Sequence, residues 1–121
     1  MNAVNWFEIP TSDIERTKYF YSKVFGFAME YMEVGDTKMY MFTGDDKDAG
    51  AVGSIFQHDN HKPSQIGTVV YFSTEDTDTE VNKIEANSGS IVFGKTSIGP
   101  HGFIAQIIDS EGNRIGIHSN K

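Results

Sequence analysis

Residues Trp6–Gly26, WFEIPTSDIERTKYFYSKVFG, decide the fold. At their start the side chains alternate. Phe7 and Ile9 point one way, and Val4, Trp6 and Glu8 the other, which is the period-two signature of a strand. After Pro10 the period changes. Ser12-Asp13-Ile14-Glu15 has the form of a capping box, in which a serine oxygen and a glutamate carboxylate satisfy backbone N–H groups left free at a helix start. Ile14, Thr17, Tyr21 and Val24, flanked by Phe20 and Phe25, then recur at helical spacing and make a face that must bury against a sheet. Gly26 is the expected stop, because glycine takes the left-handed conformation of a C-cap at no steric cost.

The same grammar returns about 63 residues later at one constant offset and without a gap. Thr11-Ser12-Asp13 falls on Thr74-Glu75-Asp76, Gly26 on Gly89, Asp46 on Asp109, Val52-Gly53 on Ile115-Gly116, and the apolar stretch from Trp6 on the one from Val69. Thr77, Val81 and Ile84 repeat the helical stripe more weakly, ending in Asn87-Ser88-Gly89 with Gly89 as the expected C-cap. Extended segments follow each helix near 27–34, 37–43 and 51–56, then near 91–97, 102–108 and 114–118. Gly44-Asp45-Asp46 and Asp109-Ser110-Glu111-Gly112-Asn113 supply turns, and such short links make the strands antiparallel neighbours. The fold class is therefore α+β, two tandem βαβββ units forming a shared cleft in one domain. Unit one spans 1–56, a polar linker 57–66, and unit two 67–121.

One such unit buries a single sheet face under its helix and leaves the other bare. Two units are expected to share that second face, and a curved shared face makes a cleft. Alternation puts Val70, Phe72, Val52, Phe56, Ile115 and Ile117 under the helices. It sends Trp6 and Glu8 into the cleft, with Ala51, Gly53 and Ile55 from the fourth strand. Val69, Tyr71 and Ser73 join them from the fifth strand, and Arg114, Gly116 and His118 from the last. Apolar residues occupy consecutive positions over 39–43, so the parity there stays open.

Composition narrows the function. The 121 residues carry ten Lys and Arg against seventeen Asp and Glu, a net charge of -7, and no cysteine. Such a field repels phosphate backbones and anionic lipid, so neither nucleic acid nor membrane is an expected partner. Without cysteine there are no disulfides, thiol nucleophiles or iron–sulfur ligands. No apolar run approaches the roughly twenty residues of a membrane span, and Met1–Trp6 lacks the basic start of a signal peptide, so a cytoplasmic location is expected. Neither a phosphate-binding glycine loop nor a nucleophile elbow occurs.

Glu8-Ile9-Pro10-Thr11-Ser12-Asp13-Ile14-Glu15-Arg16, Phe20-Tyr21, Val24-Phe25-Gly26-Phe27 and the closing Asp109–Gly116 segment resemble the glyoxalase/bleomycin-resistance/dioxygenase proteins, the vicinal oxygen chelate superfamily. The resemblance covers nearly the whole chain. It implies a divalent metal held by His, Gln or Glu at the first and last strand of each unit, positions that correspond here to Trp6, Gly53, Val69 and Gly116. An indole, an isopropyl group and two hydrogens offer no such donor. Metal-free relatives that sequester flat or aromatic compounds, usually as homodimers, then give the leading expectation. This is a homodimer binding a small, flat molecule without cofactor at Trp6, Glu8, Gly53, Val69, Tyr71, Gly116 and His118. Trp6 is the stacking surface, and Glu8, Tyr71 and His118 are the polar selectors.

The alternative is a metal-dependent lyase, isomerase or dioxygenase whose divalent metal has shifted onto Glu8 and His118. A purely structural interaction module is the third reading. His58 and His61 read as part of a solvated loop, His101 as a turn at the cleft mouth, and a Glu8–Arg114 ion pair as the structural role competing for Glu8.

Overall fold

Strand β1, Trp6–Pro10, helix α1, Ile14–Phe25, and strands β2, Met29–Val34, β3, Thr37–Phe42, and β4, Val52–Gln57, form the first unit of a computed structural model that describes residues 2–44 and 50–121. The second unit repeats them as β5, Tyr71–Ser73, α2, Thr77–Ile84, β6, Ser90–Ser97, β7, Phe103–Ile108, and β8, Arg114–Ser119. Each unit has one four-stranded sheet, in the orders β1-β4-β3-β2 and β5-β8-β7-β6. The first strand runs parallel to the last, and the remaining neighbours are antiparallel. This is the expected βαβββ architecture, twice. Asp45 and Asp46 lie outside the described residues, and with them the turn and the Asp46–Asp109 equivalence read from the sequence.

Both helical stripes are buried as their spacing predicts. The caps differ from expectation in informative ways. Asp13, not Ser12, caps α1 by accepting from the Arg16 N–H. Glu15 turns away from the backbone because the Tyr40 hydroxyl donates to its carboxylate, at 2.7 Å. Its place is taken by Glu111 of the other unit, whose Oε1 accepts from the N–H groups of Ser12 (3.2 Å) and Asp13 (3.0 Å) while Arg16 pairs with it. Gly26 closes α1 with φ 76°, and its N–H donates to the Ser22 carbonyl. At the end of α2 the left-handed residue is Ser88, φ 75°. Gly89 is needed instead for close approach, since a Cβ there would meet the Ile108 carbonyl at 2.7 Å.

The cores of the two units are one cluster. Phe72 on β5 touches Phe7, Tyr21, Phe25, Phe27 and Phe42 of the first unit, with ring centroids 4.9 to 5.8 Å apart. Helix α1 lies against α2, and the Tyr21 hydroxyl donates to Asp109 across the units at 2.7 Å. Burial pushes both groups up, and the Asp109 charge raises the tyrosine further. The units thus share the helix-facing side of their sheets, and the expected sharing of the opposite faces is corrected. The reason is area: a run of aromatic rings at the seam buries more apolar surface than the sparser open faces offer.

Cross-strand pairing fixes which residues those open faces carry. Ile9 lies opposite Ile55 and Phe7 opposite Gly53, so Gly53 and Ile55 face the helix. Val52, Ser54 and Phe56 take the open face, the reverse of the parity expected for β4. Tyr40 and Phe42 are core residues, and Met39 and Met41 therefore lie on the open side. In the second unit the expected parity holds. Ile115, Ile117 and Phe72 are buried, while Tyr71, Arg114, Gly116 and His118 lie on the other face.

Candidate functional site

The seam between the units, along β1 and β5, carries two cavities. One, about 270 Å³, is lined by the rings of Phe7, Phe27, Phe42 and Phe72, with Tyr71 and Ser73 among its walls. The other, about 370 Å³, lies toward the end of β1 and the start of β8 and is lined by Glu8, Ile9, Val70, Arg114 and Ile115, with linker residues from Ser64. They are counterparts under the internal repeat. Tyr71, Phe72 and Ser73 of the first correspond to Glu8, Ile9 and Pro10 of the second.

The residues expected to form one site are distributed around this seam. Trp6 is 42% exposed on the open face opposite Val52, which lines the aromatic cavity. Glu8 is exposed on the same face, and among the described residues its carboxylate has neither a hydrogen bond nor an ion pair. The expected Glu8–Arg114 bridge is not formed, and Arg114 Nε donates to Gln106 instead, at 2.7 Å. Tyr71 is half-exposed, and its hydroxyl accepts from Gln106 Nε2 at 2.7 Å, which links Tyr71, Gln106 and Arg114 in one chain. His118, partly buried, donates from Nε2 to the His101 carbonyl at 2.7 Å, so the turn Gly99–His101 is tied to β8. Val69 precedes β5 and is partly buried.

The two glycines differ. At Gly116 the ring of Tyr71 occupies the space of a side chain. Gly53 is removed from the cleft altogether, because its missing Cβ leaves room for the backbone carbonyl and ring of Phe7 on the helix side. The residue that stands to β4 as Gly116 stands to β8 is Ser54. Ile55 sits beside Ile9 as Ile117 sits beside Phe72, so the repeat slips by one residue at the last strand. The Ser54 hydroxyl is fully buried and has no partner among the described residues.

These positions do not fit a divalent metal. Trp6, Val69 and Gly116 present no donor, and Ser54, which replaces Gly53 in the comparison, offers only a neutral hydroxyl. Glu8 and His118 stand on different sheets, and no group of three or more His, Asp or Glu side chains converges among the described residues.

Sequence reasoning missed the contacts these linker histidines make. His58 is partly buried and His61 exposed, yet their rings lie 5.7 Å apart, His61 packs edge-on to Phe56 at 5.2 Å, and His58 Nε2 is 3.4 Å from Asp36. The signal was Phe56 itself, an open-face aromatic that needed a cover. Gln106 was missed too, because a lone glutamine in an apolar strand carries no motif.

A paired βαβββ fold with a seam of this kind defines a class, and comparison with known proteins gives the family. The model of the Glyoxalase/Bleomycin resistance protein/Dioxygenase superfamily matches residues 3–117, and the chain belongs to that superfamily. A glyoxylase-like domain-containing protein of Didymella fabae is 30% identical over 119 residues, covering 91% of this chain and 88% of that protein. Among solved structures, a glyoxylase/bleomycin resistance protein/dioxygenase domain from Frankia sp. EAN1pec superposes with a TM-score of 0.76 at 12% identity, covering 100% and 99% of the two chains. Glyoxalase I from Zea mays gives 0.72 at 18% identity over 95% of this chain, but this chain spans only 45% of its length. At such identities the structures establish the shared fold. No helix among the described residues is long and apolar enough to cross a membrane.

Proposed function

We propose that this protein binds a small aromatic or flat molecule in the aromatic seam cavity, as a homodimer and without a resident metal. The observation that carries the reading is the cavity wall, which Phe7, Phe27, Phe42 and Phe72 line beside the half-exposed Tyr71. Aromatic walls favour offset-stacked and edge-on contacts with a planar guest. Trp6 adds a flat surface on the adjoining open face, and the net charge of -7 favours a cationic guest. Trp6, Met32 and Val34 expose apolar area on the open face of the first sheet, which a second copy would cover.

Calorimetric titration with the planar cation acriflavine and with neutral 2-naphthol tests this, alongside Ser73→Phe, which fills the cavity from an exposed wall position. Saturable binding weakened about tenfold or more by the substitution is expected, a change of roughly 1.4 kcal/mol. Absence of binding, or binding indifferent to Ser73→Phe, would remove the reading. Sedimentation of the same samples tests the dimer.

A further inference from the structure

The two seam cavities are copies of one feature whose chemistry has diverged. Where the aromatic cavity has Tyr71, its counterpart has Glu8, and Arg114 lines the same space. Both residues line it, and neither belongs to an ion pair among the described residues. Arg114 is oriented through Nε, bound to Gln106, and its two terminal nitrogens have no partner among the described residues. Asn113, the backbone of Ser64 and the Arg114 N–H are already engaged. Asn113 Nδ2 donates to the Pro10 carbonyl at 2.7 Å, Asn113 Oδ1 accepts from the Ser64 N–H at 3.1 Å, and the Arg114 N–H donates to the Ser64 carbonyl at 3.2 Å. Ile9, Val70 and Ile115 add apolar residues to the lining.

We propose that this second cavity binds a small zwitterion, a molecule bearing both an ammonium and a carboxylate in the manner of a free amino acid. Glu8 receives the ammonium, and the terminal nitrogens of Arg114 receive the carboxylate as a fork. A plain cation meets repulsion from Arg114 and a plain anion meets repulsion from Glu8, so a guest with both charges is selected over either. The volume of about 370 Å³ suits a molecule of that size. The two cavities share one wall residue, Phe7, and of the two only this one is lined by Glu8 and Arg114.

The test is an amide NMR titration at low salt with glycine, 4-aminobutyrate and L-phenylalanine, beside acetate and propylamine as single-charge controls. At least one zwitterion is expected to shift the amides of Glu8–Ile9 and Arg114–Ile115, binding about tenfold or more tightly than either control. Glu8→Gln and Arg114→Gln should each abolish that preference. Arg114→Lys, which keeps charge but loses the fork, should weaken it. Ser73→Phe should leave these shifts intact while blocking acriflavine, which separates failure here from failure at the aromatic cavity.

No shift with any zwitterion, or equal binding of acetate or propylamine, overturns the proposal. So does a double-mutant cycle in urea showing Glu8 and Arg114 coupled directly, with no dependence on added ligand.

Discussion

At Gly116 the absent side chain is replaced by the ring of Tyr71, which is half-exposed and held at its hydroxyl by Gln106. At Gly53 the space belongs to the backbone carbonyl of Phe7, which cannot yield without disturbing the β1–β4 ladder. Gly116→Ala is therefore expected to displace the tyrosine and break its bond to Gln106 at a small cost in stability. Gly53→Ala is expected to cost more, about 1–3 kcal/mol, by overpacking. Urea unfolding of both variants measures the difference, and equal costs would mean that β1 shifts as readily as a side chain. The repeat made these glycines look equivalent because it compares letters at a constant spacing. Val52-Gly53-Ser54-Ile55-Phe56 has apolar residues at both parities, so only the pairing of Ile9 with Ile55 could orient the strand. Tyr71, Gly116 and His118 were legible because Phe72, Ile115 and Ile117 leave the second unit one choice.

Helix α1 depends on a residue far along the chain. The Glu111 carboxylate has no exposed surface and accepts from two N–H groups at the helix start as well as from Arg16 and Ser110. Burial works against its charge, but the hydrogen bonds from Arg16, Asp13 and Ser110, with the Arg16 charge, outweigh it and hold the carboxyl below its usual range. Its contribution to stability is therefore complete above the unfolded value, about 4.3, and is lost as pH falls through the lower folded value. Glu111→Gln is expected to lower stability at neutral pH by about 1–3 kcal/mol, with the gap to the unaltered protein narrowing in acid. Denaturant titrations from neutral pH down to about 3 check both parts; a gap that persists unchanged in acid would place the loss in packing. The sequence marked the helix start correctly through Ser12–Glu15, but its capping partner could not be read locally. Glu15 was taken by Tyr40, and Glu111 reaches α1 only once both units are packed.

Across the whole molecule the merged core makes the halves mutually dependent. Phe72→Ala removes a ring touching five aromatic rings of the other unit and is expected to cost about 3–5 kcal/mol. Amides of both sheets should then be lost at one common denaturant midpoint, whereas separate midpoints would show two independent units. The tandem βαβββ architecture was legible from stripes, turns and repeat, yet which sheet sides would meet was not. Periodicity separates two faces without saying which will find the larger partner.

The clamp on α1 also bears on the order in which the protein can complete itself as it is made. Its first unit leaves the ribosome first, but Tyr21 waits for Asp109, the start of α1 for Glu111, and the Pro10 carbonyl for Asn113. All three partners stand in the turn between β7 and β8 of the second unit. The first unit therefore gains these bonds only after the second has followed it, and one five-residue turn locks both halves at once.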